Sequence, residues 1–192
     1  MRQHWRMRHL ALACFLLAPG AALASDCPTA PDHSERIAHL IEDIRAAPNE
    51  MQARTISNRM WEIWADAPDE AAQAILDNGM SRRRAWDLLG ALSEFDRLVA
   101  YCPDYAEGYN QRAFANFLRQ DFAAALIDLD RALALSPNHV AAMSGRALTL
   151  MGLGRIDEAR SVLNQALELN PWLPERGLVA PGGPLEPKGK DI

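Results

Sequence analysis

An all-α fold of stacked helix pairs is predicted by three kinds of residue that recur every 34 positions. Pro103, Pro137 and Pro171 form one row. Small residues form two more, Gly79 with Ala113 and Ala147, and Ala91 with Ala125 and Ala159. Large apolar residues form the last, Phe95, Leu129 and Leu163. A fixed period of this length marks a helix–turn–helix array, in which each unit buries its apolar face against its neighbours. Proline closes each unit because it cannot continue a helix. The small residues let paired helices approach, and the large ones fill the space between units. About eight helices are expected.

The elements follow in chain order. Residues 1–24 have the pattern of a secretory signal peptide. Arg2, Arg6 and Arg8 give a basic start, Leu10 to Leu17 is an apolar run too short to span a bilayer, and Ala22-Leu23-Ala24 is a small-x-small cleavage site. The expected destination is periplasmic or secreted, with no membrane span left after cleavage. Residues 25–33 carry Pro28 and Pro31 without periodicity and are expected to form an N-terminal arm. Asp32 and Glu35 have capping-box spacing, and Ile37, Leu40, Ile41 and Ile44 then share one helical face. Pro48 ends that helix. Asn49 with Gln52 starts another, whose apolar face is Ile56, Met60, Ile63 and Trp64. Trp61 and Trp64 lie 34 residues before Phe95 and Leu98, so 34–67 is taken as a helical pair forming a degenerate repeat. Full units are set at 72–105, 106–139 and 140–173. Their internal turns are Trp86-Asp87-Leu88, Gln120-Asp121-Phe122 and Gly154-Arg155-Ile156. The Pro- and Gly-rich remainder, 174–192, is expected to be a flexible tail.

Composition narrows the function. The chain has 20 basic and 25 acidic side chains, and loss of the three signal-peptide arginines leaves 17 against 25. An acidic exported chain is a poor match for nucleic acid or an anionic membrane. Cys27 and Cys102 survive cleavage, and an even pair in an oxidising compartment points to a disulfide rather than two free thiols. His33, His39 and His139 lack metal-ligand spacing, and the chain has no CxxC, no G-x-S-x-G and no glycine-rich phosphate loop. No catalytic residue, metal or cofactor is therefore assigned. A lone histidine near a helix end is read as a cap or a surface group.

The 34-residue units resemble the tetratricopeptide repeat. The third unit carries the signature at Met143, Ala147, Leu150, Gly154, Ala159, Leu163, Ala166 and Pro171. The second carries it at Tyr109, Ala113, Ala125, Leu129, Ala132 and Pro137, and the first at Ile75, Gly79, Ala91, Phe95 and Pro103. The resemblance implies a right-handed superhelical solenoid of antiparallel helix pairs, whose first helices line a concave groove, and protein or peptide as the usual partner. It places Leu76, Met80, Asn110, Phe114, Phe117, Leu118, Leu148 and Met151 on that groove. Apolar residues left over once the core is filled call for an occupant. Some family members grip chaperone C-termini with Lys, Asn and Arg. The matching positions here are Leu76, Met80, Gln111, Ala141 and Gly145, so that clamp is absent. The function expected is a non-enzymatic adaptor, scaffold or assembly factor. The rival is a self-associating structural protein whose groove is filled by its own chain, dimerising through its C-terminal repeat.

Two arginines depart from the family pattern. Arg112 and Arg146 stand where an apolar residue is usual. Glu94 and Asp96 precede the first, and Asp128 and Asp130 precede the second, each pair on the helix before. The last unit has no such acids and no arginine follows it. Inter-repeat ion pairs are expected, Arg112 with Glu94 or Asp96 and Arg146 with Asp128 or Asp130. The rival pairs Arg112 with Asp128 inside one unit.

Overall fold

A computed structural model describes residues 27–187. The signal peptide expected at 1–24 lies outside the described residues. Among those described there are eight α-helices and no strand. They are α1 (Ser34–Arg45), α2 (Glu50–Trp64), α3 (Glu70–Arg84), α4 (Leu88–Tyr101), α5 (Ala106–Leu118), α6 (Phe122–Leu135), α7 (Val140–Gly152) and α8 (Ile156–Leu169), followed by a 3-10 turn at Pro174–Leu178. The helix pairs stack into an all-α repeat solenoid.

Local chemistry starts and stops these helices. Asn49, Asp69, Asp87 and Asp121 each accept a hydrogen bond from the backbone N–H three residues on, the usual N-cap contact. The Asp69 carboxyl is held below its ordinary pKa by the N–H of Ala72 and then by the Tyr101 hydroxyl. Capping of α1 differs from the box expected: His33 is the cap residue, and Asp32 instead accepts from the N–H of Ser34 at 2.9 Å. Inside each unit the turn passes through the left-handed region at Trp86 (φ 64°), Gln120 (φ 62°) and Gly154 (φ 74°), again 34 apart. Only the third unit uses the residue best suited to that conformation. At Gly79 the fit is tighter still, because an added Cβ would collide with the Phe95 ring. Helices α3 and α4 thus touch backbone to ring, with Leu76, Ala91 and Leu98 completing the same buried cluster.

The N-terminal pair does not stack as a repeat in front of α3. Its buried residues, Ile37, Ile41, Ile44, Ala53, Met60 and Ile63, share a core with Val140, Met143, Ala147, Leu150, Leu163 and Ala166 of the last unit. Helix α1 lies against α8. Arg45, 34 residues before Gly79, is exposed at the end of α1 and departs from the small-residue row of the full units. Residues 34–67 are a helical hairpin folded back across the array.

The tail also differs from expectation. Up to residue 187 it is in part packed against the last unit. Leu185 is fully buried, and Arg160 Nε donates to its carbonyl at 2.8 Å. The final repeat is covered by α1 and by this tail.

Arginines cross the unit boundaries. Arg112 Nη1 donates to Asp96 Oδ1 at 2.9 Å, and Arg146 Nε donates to Asp130 Oδ1 at 2.7 Å. Arg112 also holds both oxygens of Asp128 in its own unit, at 2.9 and 2.6 Å. The within-unit and between-unit pairings therefore coexist at Arg112. Asp128 goes to Arg112, not to Arg146. Glu94 stands apart from this ladder and pairs with Arg97 and Arg82 instead. The hydrogen bonds that Arg112 donates to Asp128, followed by the one it donates to Asp96, raise the Arg112 pKa above its ordinary value.

Cys27 and Cys102 are bonded, with Cα atoms 5.3 Å apart, and this ties the arm before α1 to the end of α4.

Two predictions follow from this packing. Asp128 is 4% exposed while Asp130 is open to solvent. Arg112→Met should cost about 3–5 kcal/mol by leaving a buried carboxylate unpaired, whereas Arg146→Met should cost under about 1 kcal/mol. Urea denaturation of both variants checks this, and equal losses would contradict it. Reducing the disulfide, whose cysteines are 75 residues apart, should lower stability by about 4 kcal/mol on chain entropy. Intact mass should rise by two hydrogens on reduction, and no rise would mean free thiols.

Candidate functional site: a cleft on the concave face

The concave face is built from α3, α5 and α7, the first helices of the three full units. Trp61 of α2 lines one part of it, and Leu173, Pro174 and Glu175 after α8 line one side. Between them is a cleft of about 420 Å³. Its apolar wall includes Trp61, Phe114, Phe117, Leu148 and Leu173, and Arg83, Gln111, Ser144, Thr149 and Glu175 contribute polar groups. Phe114 is 43% exposed there, and Arg83 stacks its guanidinium over the Phe114 ring at 4.3 Å. Burial lowers the Arg83 pKa from its ordinary value, and the charge of Glu107 opposes that shift. Phe117 is half-buried, tilted against Phe122 with ring centroids 5.5 Å apart.

Four of the eight groove residues expected from sequence line this cleft: Asn110, Phe114, Phe117 and Leu148. Four do not. Leu76 is fully buried in the core between α3 and α4, where the ring of Phe95 and Ala72 need a filler. Met80 packs against that same core. Met151 packs on the core shared with the N-terminal hairpin, which occupies the face it was expected to line. Leu118 is half-buried at the end of α5, away from the cleft lining. Sequence reasoning missed Trp61 because the segment before the full repeats was not expected to reach this face, and Thr149 and Leu173 because their places inside the third unit carry no signature residue.

It also missed the buried knot beside the cleft. Glu107 is 1% exposed and His139 is fully buried. Their contact is His139 Nε2 to Glu107 Oε2 at 2.8 Å. Asn110 Nδ2 donates to the same oxygen at 2.9 Å, and Gln111 Nε2 donates to the other. His139 caps α7 through Nδ1, which accepts from the N–H of Ala142 at 3.3 Å. With Nδ1 an acceptor, the ring presents its N–H to Glu107 from Nε2. The indole of Trp64 stacks on the imidazole with centroids 4.2 Å apart. The Tyr105 hydroxyl, its pKa pushed up by burial, donates to the Trp64 carbonyl at 2.9 Å. His139 is thus a cap, as its place at a helix end suggests, but a buried one that seats the hairpin. It closes the 106–139 unit and pairs with an acid near the start of that unit, 32 residues before it.

Comparison with known proteins places this architecture. The profile of the tetratricopeptide-repeat family matches residues 117–172. The repeat array is of the tetratricopeptide type. It is 26% identical over 141 residues to a TPR repeat-containing protein of Rhizobium etli, covering 72% of this chain and 63% of that one. It is 36% identical over 122 residues to tetratricopeptide repeat protein 36 of Bos taurus, covering 62% and 65%. It therefore spans just under two thirds of the length of these curated relatives. Among solved structures it resembles the first TPR of RPAP3 bound to an HSP90 peptide, at 25% identity and TM-score 0.51 over 52% of this chain and 79% of that one. It also resembles the crystal structure of MamA, at 21% identity and TM-score 0.54 over 76% and 85%, a likeness of fold.

The knot carries a prediction. His139→Ala should cost about 2–4 kcal/mol, since Glu107 loses a donor and Trp64 loses its stack. Chemical denaturation measures the loss, and Trp64 should emit further to the red in the variant. A cost below about 0.5 kcal/mol, the scale of a surface change, would mean that the knot does not hold the hairpin.

Proposed function

We propose that the chain is an exported, non-enzymatic adaptor or assembly factor that holds a segment of a partner protein against its concave face. The observation that carries this reading is the half-exposed Phe114 on an apolar cleft, at a position that serves no packing row of the repeat. A large apolar side chain kept at the surface inside a concavity marks a binding site. Helices packed into rigid pairs hold such a surface without a folding cost on binding. The RPAP3 repeat, with its HSP90 peptide, supports peptide as the ligand class for this fold. The chaperone clamp itself has no counterpart here, with Leu76, Met80, Gln111, Ala141 and Gly145 at its positions. The signal-peptide pattern of residues 1–24 supports a periplasmic or secreted location.

The rival, self-association through the C-terminal repeat, loses its main support. The face it would use is covered by α1 and the tail. Light scattering on the mature chain should give a monomer under this proposal, and a dimer would favour the rival.

The direct test is a photo-crosslinking residue at Phe117 in cell envelope. One defined adduct is expected, absent when Phe114→Ser is added, with the melting temperature of that variant nearly unchanged. No adduct, or one indifferent to Phe114→Ser, would contradict the proposal.

A further inference from the structure

Six buried side-chain polar atoms among the described residues have no hydrogen-bond partner, and five belong to residues that line the one cleft. They are Arg83 Nε, Gln111 Oε1, Ser144 Oγ, Thr149 Oγ1 and Glu175 Oε2. Thr149 is fully buried, Gln111 is 1% exposed and Ser144 5%, so these three are not surface groups wetted by bulk solvent. Folded proteins pair nearly all such atoms, and an orphan carries a desolvation cost that a partner would recover. Scattered packing faults would not converge on a single cavity.

The chemistry of the five is mixed. Arg83 offers an N–H, Ser144 and Thr149 offer hydroxyls, and Gln111 and Glu175 offer acceptors. Neither Arg83 nor Glu175 forms an ion pair among the described residues. One unpaired cation and one unpaired anion therefore face the same apolar cavity. Its formal charge balances, yet its two charges are not spent on each other. The complement is a molecule that carries both signs, several N–H and C=O groups and an apolar body.

A helical segment does not meet this description. Its backbone groups are already bonded internally, and its diameter with side chains is about 10–12 Å. The cleft, about 420 Å³, falls in the size range of small-molecule sites, and Trp61 on α2 and Leu173–Glu175 wall it in. We infer that the cleft binds a free dipeptide or tripeptide with a bulky apolar side chain. Its carboxylate and carbonyls take Arg83, Ser144 and Thr149. Its ammonium and N–H groups take Gln111 and Glu175. The apolar side chain lies among Trp61, Phe117 and Leu148. This rests on the concave face as the binding face but not on a protein partner, and the small ligand would share the cleft with any partner segment.

The test is isothermal titration of the mature chain with the dipeptides Leu-Phe and Phe-Leu, each free, N-acetylated and C-amidated. At least tenfold tighter binding of a free form than of either blocked form is expected. Arg83→Gln should erase the discrimination against the amide, and Glu175→Gln the discrimination against the acetyl form. Both side chains are partly exposed and lack ion pairs, so the variants should melt like the parent. Equal binding of free and blocked forms, or no heat from any dipeptide at millimolar concentration, would overturn the inference. Crosslinking at Phe117 that persists in either case would leave the adaptor reading standing. Loss of that crosslink alongside dipeptide binding would sink the adaptor reading alone.

Discussion

A carboxylate buried at the start of the middle repeat determines the shape of the concave face. Glu107 sits almost wholly out of solvent, and a buried acid must be surrounded by donors. Asn110 and Gln111 supply two from its own helix. The third comes from His139, the cap of α7. That ring is itself buried and aromatic, and Trp64 covers it. One acid thus ties the start of α5 to the cap of α7, and both to the hairpin that precedes the array.

Docking of the hairpin solves two problems at once. A short solenoid has two ends that need cover. Here α1, with Ile37, Ile41 and Ile44, covers the last unit, and the buried Leu185 in the tail adds to it. The same docking brings Trp61 over the concave face and turns an open channel into a walled cleft. The disulfide from Cys27 to Cys102 holds the start of the hairpin beside the first full unit while α1 reaches α8. The concave face is in part filled by this chain itself.

Much of the array was legible because the period is strict. Gly79, Ala113 and Ala147 announce close helix contacts, and the turns at Trp86, Gln120 and Gly154 fall in register. The acids at 96, 128 and 130 with Arg112 and Arg146 were visible as a spaced set, although Asp128 closes on its own unit. The hairpin's position was not legible. Its tryptophans keep the repeat phase, while Arg45 breaks the packing row, and phase alone does not report which face a segment meets. Half of the expected groove failed for a related reason. Leu76 and Met80 satisfy the core of the first unit, and Met151 satisfies the docked hairpin, so position in the repeat overstates exposure. The polar half of the cleft was hidden because Thr149 and Ser144 look like ordinary helix residues until their orphaned hydroxyls converge.

The central claim is that the N-terminal hairpin docks on the last repeat through Trp64 and His139. Nuclear Overhauser contacts on the mature chain test it most directly. With ring centroids 4.2 Å apart, strong cross-peaks between the Trp64 indole and the His139 imidazole are predicted, together with peaks from Ile41 and Ile44 to residues of α8. Peaks from the hairpin to α3 and α4 in their place would make it a repeat stacked at the front of the array and would contradict the account.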